Sequence, residues 1–124
     1  MIQKTPIFVD LDRRHRVVFN LNTEILIRGA GKRNASIFET IGEETDPETG
    51  EIKRVLDVDV ENLRVYLWAA IQEDAQRHNE TLSLEDVGAL LTNKSRISNA
   101  VVAVTRALAA YYGDEPGEAD APAL

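Results

Sequence analysis

The residues able to do chemistry in this chain are few, and their spacing suits little of it. The two histidines, His15 and His78, lie in polar segments that read as exposed, and neither belongs to a His-Glu-x-x-His or comparable metal-binding pattern. Gly29-Ala-Gly-Lys32 resembles the end of a phosphate loop. That loop needs a Gly five residues before the Gly-Lys pair and a Ser or Thr after it, and here those positions hold Leu26 and Arg33. A helix stop followed by a basic turn accounts for the stretch. Asp46-Pro-Glu-Thr-Gly-Glu51 alternates oxygen ligands as a calcium loop does, but its Gly comes one place early and no bidentate Glu follows. Carboxylates abound, yet acid-base work needs environments that drive two pKa values apart, and these acids read as solvated. The sequence therefore predicts no catalytic residue, no metal site and no cofactor, and the reading is non-enzymatic.

Charge narrows the partners. Twenty-one acids against 14 bases give a net charge of −7, a field that repels polyanions unless the bases are clustered. Arg13, Arg14 and Arg16 form one small basic patch, a weak contact candidate on a predicted turn. Lys94 and Arg96 open a helix after a polar break, as in helix-turn-helix DNA readers, but only Arg106 follows them. A DNA-binding regulator is thus a rival reading, and nucleic acid is not the expected partner. With no cysteine there are no disulfides or thiolate zinc sites. No apolar run reaches the roughly 20 residues that span a bilayer, and no secretory signal opens the chain, so the expected location is the cytoplasm, with no membrane partner.

The elements that must position these residues read as mostly helical. Ile7–Asp10 and Arg16–Phe19 predict a hairpin over about 6–20. Asn20 or Asn22 caps a helix over 21–29 that Gly29 and Gly31 end. A short second helix over 35–41 starts at Asn34 or Ser36, and 42–56 reads as an exposed acidic loop. Asp59 caps a long helix over 59–77, with Val60, Leu63, Leu67, Ala70 and Ile71 facing inward. Ser83 with Asp86 caps another over 83–91, with Leu84, Val87 and Leu91 inward. Ser95 opens the last, over 95–112, with Ile97, Val101, Val104, Leu108 and Tyr111 inward, and Gly113 stops it. The expectation is one domain over 1–112, a mostly α small helical bundle with an N-terminal β-hairpin, and a disordered acidic tail over 113–124. Gly88 and Ala89 are read as allowing close helix packing.

Taken in order, Phe19-Asn-Leu-Asn-Thr-Glu-Ile-Leu26, Leu63-Arg-Val-Tyr-Leu-Trp-Ala-Ala-Ile71, Leu82-Ser-Leu-Glu-Asp-Val-Gly-Ala-Leu-Leu91 and the Ala-rich run to Tyr111-Tyr-Gly113 resemble the tail assembly chaperones of long-tailed bacteriophages and related gene-transfer particles. The stretch from Gly42 to Arg54 departs from the more compact members. The resemblance implies a small helical protein that binds the tape-measure protein, helps recruit the tail-tube protein, and leaves before the virion matures. A structural head or tail completion protein is the other rival. Helical phase, independently of the resemblance, leaves Val65, Trp68, Leu90, Val102 and Tyr112 outside a single inward stripe, which makes them the candidates for partner binding by helix-in-groove recognition, with self-association as an option.

Overall fold

The structure is a computed structural model, and it describes residues 6–31 and 37–113. Among these described residues, four helices and two separate antiparallel hairpins follow in the order β1 (Ile7–Asp10), β2 (Arg14–Val17), α1 (Leu21–Gly29), β3 (Phe38–Thr45), β4 (Ile52–Val58), α2 (Val60–Arg77), α3 (Leu84–Leu90) and α4 (Lys94–Tyr112). With 51% helix and 22% strand, the fold is α+β, which corrects the expectation of a mostly α bundle.

The correction lies between residues 38 and 58. In place of a helix over 35–41 and a loop over 42–56, the chain forms the β3–β4 hairpin; residues 35 and 36 lie outside the described residues. Its strands pair from Phe38↔Val58 to Thr45↔Ile52, with an extra residue, Ile41, bulging between Thr40 and Gly42. Each strand packs chiefly on the other, so the hairpin is an arm attached at its base. There Ile37 is buried and its carbonyl accepts from the Asp59 amide at 2.7 Å. The far end turns on Asp46, whose carboxylate accepts from the Glu48 amide, and on Gly50 at φ 72°, a left-handed position that favours glycine.

α2 is the centre of the domain. Asp59 caps it, accepting from the Asn62 amide at 3.1 Å, and ten of its 18 residues are buried, from Asn62 to Ala75. β2, α1, α3 and α4 all pack on it, which explains why apolar residues occur on more than one of its faces. The inward face of α4 is made of Ala100, Ala103, Val104 and Ala107, with Ile97, Val101, Leu108 and Tyr111 only flanking it. Alanines at this seam let the helix approach α2 and β1 closely. Its cap is Asn93, accepting from the Arg96 amide at 2.9 Å, and Gly113 at φ 71° ends it.

The remaining caps are local and follow the residue types. Asn20 and Thr23 form a reciprocal capping box on α1, and Ser83 and Asp86 form one on α3. Trp68 ties α2 to the start of α3, its indole N–H donating to the Leu82 carbonyl at 3.0 Å. On another side of α2 Phe19 meets Tyr66, Tyr111 and Tyr112, and the Tyr111 hydroxyl donates to Glu24 at 2.7 Å. No helix among the described residues is long and apolar enough to cross a membrane.

Candidate protein-docking site

α2, α3 and α4 do not close on one another completely. Where the first turns of α2 and α4 face α3, Val60, Leu63, Leu91 and Ile97 line a cleft of about 440 Å³, with Gly88 on its wall and Glu61 and Arg64 beside it. That volume lies within the roughly 300–1,000 Å³ range of clefts that take a small ligand. Val60 is 65% exposed. Arg64 lies across Gly88, and its Nε finds no hydrogen-bond partner although it is buried. An apolar slot beside an under-satisfied guanidinium suits an amphipathic segment that carries a carboxylate.

Two residues before Val60, β4 ends, so the arm joins the cleft directly in sequence. Cross-strand register sets Phe38, Leu56, Val58 and Ile52 on one face of the arm, together with Thr40, Thr45 and the opposed pair Glu43 and Arg54. Phe38, Leu56 and Ile52 are exposed there, and Ile41 adds another apolar side chain at the bulge. An arm with a solvated apolar face and two open strand edges is a surface made for a partner or a liability without one.

Of the five residues that helical phase had singled out, none lines this cleft. Val65 is in the core at 3% exposure, because β2 and α4 cover faces of α2 that the single-stripe assignment had left free. Trp68 and Leu90 are half-buried and pack against that core. Val102 and Tyr112 are exposed, but ten residues of helix, about 15 Å of axis, separate them. The residues that do line the cleft, Val60, Leu63, Leu91 and Ile97, were all assigned inward by their periodicity, which marks a face as apolar but does not show that a neighbour covers it. Close helix packing does not explain Gly88 and Ala89 either, since Gly88 meets only the Arg64 side chain and Ala89 is exposed.

The basic residues are arranged differently from a DNA-reading surface. Arg96 donates to the Leu90 carbonyl at 3.0 Å, closing the end of α3, and α3 packs on α2 far more than on α4. Of the first patch, Arg14 pairs with Asp10 across the hairpin at 3.1 Å and lies over the Phe8 ring, while Arg16 stays exposed. Arg13 turns inward to bond Asp74 at 2.8 Å and Glu80.

His15 is fully buried, not exposed. β2 starts at Arg14, two residues earlier than the apolar run suggests, and its alternation sets His15 on the inward face with Val17. His15 Nε2 donates to Asp12 at 2.6 Å, and its Nδ1 points towards Asp74 Oδ2, 3.6 Å away. His78 remains exposed, donating from Nδ1 to the Asp74 carbonyl at 2.8 Å. Burial alone would raise the Asp74 pKa, but the Arg13 hydrogen bond, the Arg16 amide and the charges of Arg13 and His78 outweigh it and hold the carboxyl below its usual range. Asn79, at φ 56°, reverses the chain after α2 and brings Glu80 back over the helix end.

No protein-family model, curated protein or solved structure matches the chain.

Proposed function

We propose that the protein is a non-enzymatic tail assembly chaperone that holds an amphipathic helix of the tape-measure protein in the cleft between α2, α3 and α4. The observation that carries this reading is the apolar slot of Val60, Leu63, Leu91 and Ile97 between α2, α3 and α4. Its apolar lining has the chemistry that helix-in-groove recognition uses. The resemblance supplies the partner, since the four stretches that carry it coincide with the start of α1, the middle of α2, α3 with its cap, and α4. The β3–β4 arm, which contains the Gly42–Arg54 stretch that departs from the more compact members, adds a second contact surface suited to a growing assembly such as the tail tube. Release before maturation fits a small open site better than a large interface.

A DNA-reading role draws less support. α3 has seven residues and rests on α2, and Arg96 is occupied by a main-chain carbonyl. Coexpression with the tape-measure protein tests the proposal. The two proteins copurify, and Val60→Asp, an exposed position that leaves folding intact, abolishes copurification. Failure of the folded wild type to copurify, or indifference to Val60→Asp, removes the reading. Detection of the chain in purified virions would favour a structural completion protein instead.

A further inference from the structure

The tip of the first hairpin and the end of α2 meet in a polar cluster apart from the docking cleft. Asp12, Arg13 and His15 come from the hairpin, and Asp74, His78 and Glu80 from the helix end. One donor atom each of His15, Asp74 and Glu80 lies within 4.8 Å of the others. The decisive atom is His15 Nδ1. Because a carboxylate can only accept, the 2.6 Å contact with Asp12 places a proton on Nε2, and in its neutral form such a ring presents a lone pair at Nδ1. That nitrogen is buried, 3.6 Å from Asp74 Oδ2, and without a hydrogen-bond partner.

We propose that this cluster binds one divalent first-row transition ion of the zinc class through His15 Nδ1, Asp74 and Glu80, with Asp12 as the positioning residue that orients the ring. An imidazole held from behind by a carboxylate is the usual arrangement of a metal-binding histidine. Charge agrees with it, since the three carboxylates exceed Arg13 by two negative charges when both histidines are neutral. The separations agree too, for donors around a tetrahedral zinc lie about 3.3 Å apart, close to the 3.6 Å between His15 Nδ1 and Asp74 Oδ2. One nitrogen and two carboxylates suit zinc better than calcium, which takes six to eight oxygens, or copper(I), which wants sulfur. Arg13 is the competitor. Its guanidinium bonds both carboxylates, and it leaves them as the ion enters, an exit made possible by a side chain that is 28% exposed on a tight turn. The bound ion then clips the hairpin to a helix end some 60 residues later in the chain.

The test uses the full chain stripped with chelator, titrated with Co²⁺ by visible absorption and with Zn²⁺ by calorimetry and thermal melting. One equivalent binds, the melting temperature rises, and the Co²⁺ spectrum is that of a low-coordinate site. Glu80→Gln, at a half-buried position compatible with folding, weakens binding by about tenfold or more. His15→Ala abolishes it, Arg13→Gln tightens it, and His78→Ala leaves it unchanged. Absence of binding to the folded wild type overturns the proposal. So does binding that survives both His15→Ala and Glu80→Gln, or that depends on His78 alone, or ¹⁵N spectra showing both His15 ring nitrogens protonated and unmoved by Zn²⁺.

Discussion

Gly88→Ala separates two roles for one glycine by the sign of its effects. Gly88 is the fifth residue of the seven in α3, where glycine costs a helix about 0.5–1 kcal/mol relative to alanine. An added Cβ would lie 3.2 Å from Arg64 Cδ and 3.9 Å from Arg64 Nη1, with no backbone nearby. The first contact is a few tenths of an ångström too close, but it falls on the middle of a flexible side chain whose Nε has no hydrogen bond to lose. Relief of that contact costs less than the helix gains, and the net is a stabilisation of about 0.5 kcal/mol, or roughly 2–4 °C in a domain of this size. The same methyl group intrudes on the docking cleft, where one extra carbon in a fitted apolar site costs about tenfold in affinity. Thermal melting and copurification or calorimetry with the tape-measure protein should therefore move in opposite directions, stability up and binding down. A glycine needed for helix packing would instead lose about 1–3 kcal/mol as alanine, so a fall in melting temperature refutes the cleft assignment of Gly88.

The arm and the ion-pair cluster give two further expectations. Deleting Glu43–Arg54 and joining Gly42 to Val55 through Asn-Gly should shift stability by no more than about 0.5 kcal/mol by urea melting, because that segment packs mainly on itself; a loss several times larger would show the arm to be part of the core. Asp74→Asn should destabilise the protein by about 1–3 kcal/mol at neutral pH by breaking a part-buried pair with Arg13. The native Asp74 carboxyl titrates below its ordinary 3.8, so its contribution is complete above that value and is lost as the pH falls through the lower native one. Wild-type and variant stabilities should converge as the pH falls through the lowered native pKa of Asp74; parallel curves down to the acid transition would refute the assignment.

What the sequence made legible is local. Side chains at Asn20, Asp59 and Ser83 satisfy amides three residues on, and Gly113 turns a helix end, so each signal is complete within one turn. The last cap is Asn93 and not Ser95 because both residue types can serve, and only the chain direction leaving α3 chooses between them. The β3–β4 arm was harder to read because neither of its faces is buried along its length, which removes the alternation that marks a half-buried strand. A weaker signal was present: across the Asp-Pro-Glu-Thr-Gly turn, Glu43 and Glu44 face Arg54 and Lys53, acids opposite bases in register. His15 could have been placed inward by counting back two from Val17 along β2. Its partners Asp74 and Glu80 lie about 60 residues away, and nothing short of the fold brings them there. The docking cleft was hidden for the opposite reason, since its residues show the right period, and periodicity cannot show where three helices leave a gap.

The bond from the Trp68 indole to the Leu82 carbonyl has an optical consequence. This is the chain's only tryptophan, and all three tyrosines gather around Phe19 on the other side of the same helix. Indole emission therefore watches the joint between α2 and α3, while tyrosine near-ultraviolet dichroism watches the packing of α1, α2 and α4. An opening that starts at α3 would change the first signal before the second, so the two joints can be followed separately without attaching a label.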